Sequence, residues 1–194
     1  MRHGSVILAY HGCDRTTGES VLAGKSELRI STNDYDWLGH GGYFWEDDPL
    51  RVLAWARLIQ RHGKKSRARV GEPFVIGAVV EPGNCLDLLQ AQSIRLVDAA
   101  YKDLRMFSHD AATALPANVS VDGELVLGRL DCAVIQHLHR RREESGLTPF
   151  DTVRAAFPEG SPLYPGAGFQ EHTHLQICVR NPAQIIGYFR VRGR

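Results

Sequence analysis

Residues able to do chemistry gather in three short segments that lie far apart in the chain. Tyr10-His11-Gly12 closes the first apolar run. Gly39-His40-Gly41-Gly42-Tyr43-Phe44-Trp45-Glu46 precedes a helix opening. Thr173-His174-Leu175-Gln176-Ile177-Cys178-Val179 runs into Asn181-Pro182-Ala183-Gln184. Singly, each has an ordinary explanation: a satisfied strand-end histidine, glycine turn geometry, and a period-2 strand with Leu175, Ile177 and Val179 on its core face. Two conventional chemistries fit poorly. His172 and His174 share a strand face and can bind zinc, but a third ligand has no motif, although His11 or His40 is available. His137 and His139 sit on a predicted helix, where i, i+2 residues point apart. Cys13 follows His11 closely, yet nothing resembles a nucleophile elbow.

The elements that must position these segments read as mixed strands and helices without regular βαβ alternation, an α+β arrangement. Val6–Tyr10 is a strand suited to burial on both faces, and a short helix follows near 18–23. A polar loop spans 26–42 and Tyr43–Trp45 is a short strand. Asp48-Pro49 opens a helix through about Gln60, with Leu50, Leu53, Ala54 and Leu58 as its core face. A basic loop runs 61–69. Phe74–Val80 is a strand stopped by Glu81-Pro82-Gly83. Helices are expected over 86–105, with Leu86, Leu89, Ile94, Val97 and Ala100 inward, and over 129–144, ended by Ser145-Gly146. A Gly/Pro-rich loop occupies 158–168, and two strands, Thr173–Val179 and Ile185–Val191, close the chain.

Composition bounds the classes. The 194 residues suit one domain, 1–194, with a continuous core. Hydrophobic residues at 43% and charged residues at 23% match a folded protein, and a net charge of +1 gives no global field toward nucleic acid or acidic membranes. The first apolar run is too short for a signal-peptide core, and no stretch is long enough to cross a bilayer. Four scattered cysteines without a CxxC pair read as free thiols in a reducing compartment, and the expected location is cytoplasmic.

Taken together, the segments resemble the motif order of the diphtheria-toxin-like and poly(ADP-ribose) polymerase-like ADP-ribosyltransferases: strand-His-Gly, then Gly-Tyr-Phe ahead of a helix, then a late strand ending in an Ala-Gln turn. The resemblance covers the N-terminal third well and the last twenty residues weakly. It implies split mixed sheets around an NAD cleft with flanking helices, and NAD as substrate with no metal. His11 would hydrogen-bond a ribose hydroxyl, the backbone of Gly12 would hold the nicotinamide carboxamide, and Tyr43 would stack on the ring. Trp55 would close the other face, or would be a core tryptophan on an amphipathic helix. Arg154 would reach the pyrophosphate, or form a structural ion pair. Tyr164 and Phe169, on the loop before the late strand, would meet a macromolecular acceptor, protein or nucleic acid. Small members of this fold are often toxins or phage-defence effectors, which makes an antitoxin or chaperone partner an expectation by analogy.

One departure bears on catalysis. The family's glutamate position holds Gln176, which hydrogen-bonds but carries no charge. The chemistry passes through an oxocarbenium-like ribose, which a carboxylate stabilises. Three readings stay open: Glu171 supplies the carboxylate; the acceptor is a good enough nucleophile unaided, as in the related RNA 2′-phosphotransferases; or the domain is a non-catalytic NAD- or ADP-ribose-binding module.

Overall fold

The first strand continues past Tyr10, through His11, Gly12 and Cys13 to Asp14. In the computed structural model, which describes residues 6–61, 70–121 and 124–192, β1 spans Ile7–Asp14. Asp14 ends it and caps the next helix: its Oδ1 accepts from Thr16 N at 3.0 Å, while Oδ2 accepts from Gly71 N and Glu72 N. These hydrogen bonds, first that from the Thr16 hydroxyl, hold the Asp14 carboxyl far below the usual carboxylate range. Helix α1 then covers Arg15–Leu22. The remaining elements are β2 (Gly42–Glu46), α2 (Pro49–Arg61), β3 (Pro73–Val80), β4 (Cys85–Asp87), α3 (Ala91–Asp110), β5 (Val119–Val121), β6 (Glu124–Leu127), α4 (Arg129–Glu144), β7 (Thr152–Phe157), β8 (His174–Val179) and β9 (Ile185–Arg190). The basic run of 61–69 lies, past Arg61, outside the described residues.

Seven strands form one sheet in the order β4-β7-β8-β2-β1-β3-β9, with β5-β6 as a separate hairpin. Only β4 and β7 pair in parallel; the other ladders of the large sheet are antiparallel. The expected split into two sheets is therefore not present as such. What remains of it is a seam: β1 pairs with β3 from Ile7 to Asp14 but with β2 only at Ala9–Glu46 and Tyr10–Trp45.

Helices α2, α3 and α4 cover one face of the sheet and α1 the other. Under α3 and α4 lie Leu38, Leu86, Val153, Ala155 and Cys178; Val52 of α2 packs on Trp45 and Val75. The opposite face carries Ala9, Phe44, Ala78, Ile177 and Val179.

Two core assignments require correction. Helix α2 buries Val52 and Ala56, whereas Leu50 is 77% exposed and Leu58 is 43% exposed. The series 52, 55, 56 wins because Ala56 permits close approach while Trp55 fills the space over Gly12 and Trp45. Helix α3 starts later than expected, since Cys85–Asp87 form β4; Leu86 is buried on that strand, and Leu89 and Ile94 are exposed. Val97 and Ala100 do face the core.

Candidate functional site

The three chemistry-bearing segments, scattered along the chain, become three adjacent strands, β1, β2 and β8. Register then decides which side chains meet. Tyr10 pairs with Trp45, and Trp45 with Gln176, so these share the face beneath the helices α2–α4. Tyr43 pairs with Cys178, on the same face. His11 pairs with Ile76, on the opposite face, and its ring lies 5.7 Å from that of Phe44. The side chains of His11 and Gln176 are thus separated by the sheet.

His11 Nδ1 lies 2.8 Å from the Tyr43 carbonyl, which can only accept, so Nδ1–H donates and the imidazole bridges the seam. Burial lowers the His11 pKa, outweighing the carbonyl hydrogen bond that raises it. Tyr43 is not an open stacking platform. Its hydroxyl donates to Gly39 O at 2.8 Å and accepts from Leu38 N at 2.9 Å, closing the 38–43 loop. Burial pushes its pKa well up. The glycines of this loop serve packing. Gly39 has φ 81°, and a Cβ on Gly41 would lie 2.4 Å from Cys178 Sγ and 2.7 Å from Val179 O.

Gly12 lies under α2: a Cβ there would stand 3.1–3.2 Å from Val52 and Trp55. The Trp55 ring packs 5.3 Å from Trp45, in the core beneath α2 and beside Gly12. Arg154 lies on the other face in a bidentate pair with Glu46, Nε at 2.6 Å and Nη2 at 2.8 Å, and reaches Asp87 at 3.2 Å. The Glu46 bond is the main cause of its raised pKa. This is the structural ion pair of the two alternatives.

On the helix face, β8 builds a niche that sequence reasoning only half identified. Trp37 Nε1 donates to Gln176 Oε1 at 2.9 Å. Indole has no acceptor, so the amide orientation is decided: Nε2 donates to His174 Nε2 at 2.8 Å. His174 must then carry its proton on Nδ1, which donates to the His172 carbonyl at 2.7 Å. Every partner in this relay agrees on one neutral tautomer. Burial lowers the His174 pKa, against the raising influence of the His172 carbonyl and of Glu159. The histidine ring is packed between Trp45 and Phe157, at 5.7 and 5.4 Å. The face opposite Leu175, Ile177 and Val179 is buried as well, because α2 and the Trp37 loop cover His174 and Gln176; each is 7% exposed.

The Gly/Pro loop contributes differently from expectation. Glu171 is exposed and engaged within the loop, its carboxylate accepting from Ser161 N at 3.2 Å. Glu159 instead reaches the niche: it lies 3.8 Å from His174 Nδ1 and forms an ion pair with Arg51 of α2. Trp45 Nε1 and Arg51 Nε are buried without hydrogen-bond partners among the described residues. Tyr164 and Phe169 are 56% and 66% exposed on a hairpin whose Leu163 N donates to Phe169 O. Trp37, Arg51 and Glu159 were missed in the sequence. A tryptophan in a loop otherwise rich in Asn, Asp and Gly was the available signal, since such a ring is costly to expose.

Two cavities flank these residues. One of about 310 Å³ lies between α3 and α4, with Trp37, Tyr101, Val97 and Ile135 in its wall. Another of about 160 Å³ adjoins the seam on the His11 face, lined by Leu28, Gly42, Val179 and Tyr188 among others.

The chain is thus an α+β protein with a seven-stranded mixed sheet, in which no described helix is long and apolar enough to cross a membrane. No family model matches it, and no solved structure does. An uncharacterized protein of Methanocaldococcus jannaschii is 27% identical over 193 residues, covering 91% of this chain and 83% of that protein.

Proposed function

We propose that this chain binds NAD and transfers ADP-ribose to a macromolecular acceptor with release of nicotinamide. The observation that carries the reading is the convergence of Tyr10-His11-Gly12, Gly42-Tyr43-Phe44 and the Gln176 strand onto neighbouring strands β1, β2 and β8. Gly12, Trp45, Trp55 and Gln176 share the helix-covered face, and this reading places the ribose on that face, with His11 acting through the seam from the other side. Trp45 Nε1 and Arg51 Nε, buried donors without partners among the described residues, are suited to ligand acceptors. Trp55 and the backbone of Gly12 retain their roles toward nicotinamide, and the exposed Tyr164 and Phe169 retain theirs toward the acceptor. Tyr43 acts by holding the loop, and Arg154 by holding Glu46.

A second reading has its own support. The Gln176 amide is neutral and committed to Trp37 and His174, which suits a module that binds NAD without turning it over. Nicotinamide release, followed by chromatography with and without cell lysate, separates the two. The test variant is His11→Asn, whose amide nitrogen can replace Nδ1 as donor to the Tyr43 carbonyl. Lysate-dependent release that disappears in His11→Asn supports the transferase. NAD binding by calorimetry without release supports the module, and neither binding nor release refutes both.

A further inference from the structure

The cavity of about 310 Å³ between α3 and α4 takes no part in the NAD reading, and its wall has a chemistry of its own. Trp37, Tyr101, Leu88, Val97, Val134 and Ile135 make it apolar and partly aromatic. Its charged groups are both carboxylates, Asp98 on α3 and Asp131 on α4; no described lysine, arginine, histidine or amide side chain lines it. An anionic ligand would therefore meet like charge, with the Tyr101 hydroxyl as the one side-chain donor beyond the indole. Leu130 N and Asp131 N, first-turn amides of α4 of the kind that attract anions, are already taken by Asn118 Oδ1.

The two carboxylates are not equal. Asp98 is exposed and held by Lys102 at 2.6 Å, one turn along α3, which offsets its charge toward a ligand. Asp131 is half-buried, and its carboxylate has no hydrogen bond or ion pair among the described residues; Arg129, two positions earlier, pairs with Asp34 instead. The walls are also fixed in advance. Trp37 donates Nε1 to Gln176 Oε1 at 2.9 Å, and a Cβ on Gly128 would lie 2.5 Å from the Trp37 Cβ. Ile135 is clasped likewise by Gly39, where a Cβ would stand 2.8 Å away. Walls that are ordered before binding cost little to order during it.

We propose that this cavity is a binding site for a small ammonium ion carrying one apolar ring or a short branched chain, with Asp131 as its counter-ion and Trp37 and Tyr101 as its aromatic walls. An apolar cavity of about 150 Å³ takes one benzene ring, so the volume here holds a ring and a short aminoalkyl chain. Burial of the ring supplies the affinity, while the ion pair and the cation–π contact supply the choice of charge. The site is independent of the NAD reading, since the same wall repels a pyrophosphate.

The test titrates the full chain with three probes of closely similar shape: phenethylammonium, neutral phenethyl alcohol and anionic phenylacetate. Calorimetry gives the dissociation constants, and methyl chemical shifts locate the probe. The ammonium should bind about tenfold tighter than the alcohol, the combined scale of a partly buried ion pair and a cation–π contact, and phenylacetate should bind more weakly than either. Shifts should centre on the methyl groups of Val97, Leu130 and Val134. Asp131→Asn, its fold checked by thermal unfolding, should erase the preference for the ammonium while leaving the alcohol's affinity within about twofold, well below one decade. Wild-type protein that does not bind the ammonium overturns the proposal. So do equal affinities for the ammonium and the alcohol, shifts centred away from the cavity, or a preference that survives in folded Asp131→Asn. None of these outcomes depends on whether NAD binds.

Discussion

Gln176→Leu tests the relay that organises the niche. Leucine fills nearly the same volume but removes the acceptor for Trp37 Nε1 and the donor to His174 Nε2. The His174 side chain is 2% exposed, so its Nε2 cannot turn to water, and an orphaned buried acceptor costs about 1–3 kcal/mol. Trp37 is half-buried, and its lost hydrogen bond adds roughly 1 kcal/mol. Allowing for the apolar gain of leucine, the net loss is roughly 2–3 kcal/mol, which in a chain of this size lowers Tm by roughly 4–12 °C. Calorimetry at pH 7.5 reads this directly. Gln176→Glu supplies the matching control, since a carboxylate still accepts from Trp37 but needs a proton on His174 Nε2. In wild type the folded His174 pKa is below its unfolded value, so the unfolded chain takes up the proton and stability falls as pH drops below about 6.5. In Gln176→Glu the folded pKa is raised, so that contribution is full below about pH 6.5 and disappears as pH rises through the raised value. A Tm for Gln176→Leu within about 1 °C of wild type, well below the loss expected above, or parallel pH slopes for wild type and Gln176→Glu, would refute the relay.

Three further outcomes follow from the geometry. Tyr43→Phe removes a hydroxyl that both donates to Gly39 and accepts from Leu38, and should cost about 1–3 kcal/mol in urea unfolding. It should also speed amide exchange at Leu38, and unchanged exchange there would count against the loop-closing role. Arg154→Met leaves the 7%-exposed Glu46 carboxylate without its bidentate partner and should cost about 3–5 kcal/mol, read as a lower denaturant midpoint. A stable Arg154→Met with weakened NAD affinity would return that residue to the pyrophosphate role. His139 is 2% exposed with both ring nitrogens unpartnered among the described residues, and burial, aided by Arg180 and Arg142, depresses its pKa to about 3. Its contribution is complete above about pH 6.5 and is lost as pH falls toward the folded value, about 2–3 kcal/mol between pH 7.5 and 4.5. His139→Leu should flatten the acid limb of stability by that amount, and identical acid limbs would refute it.

How far the chain discloses its own fold depends on which signal each element carries. Helix α2 was legible at its start, because Asp48 Oδ1 accepts from Arg51 N at 2.9 Å with Pro49 in the first turn, as the Asp-Pro pair announces. Its buried face was not, because leucine spacing competed with a Val52–Trp55–Ala56 series whose merit lies in a glycine on the neighbouring strand. Strands β4 and β7 escaped notice because Cys85–Asp87 is short and runs into a helix, and Thr152–Phe157 has an arginine at its centre. That arginine is tolerable only because Glu46 and Asp87 come to it from strands far away in sequence.

The site shows the same division between local and long-range information. Grouping His11, Tyr43 and Gln176 needed only the order of motifs, and the sheet does place their strands side by side. Deciding which way each side chain points needed register, and a shift of one residue in a ladder reverses every face. The pairing of Tyr10 with Trp45 sends His11 away from Gln176 and sends Tyr43 into the core beside Leu38. No pattern within the first fifty residues encodes that choice. The carboxylate at the niche is subject to the same logic. Glu171 is the nearer of the two loop glutamates to Gln176 in sequence, yet a hairpin held by Ser161 turns it outward and leaves Glu159, seventeen positions from Gln176, beside His174. Distance along the chain is therefore a poor guide to charge in this site, and the Arg51 clamp on α2 decides which glutamate enters.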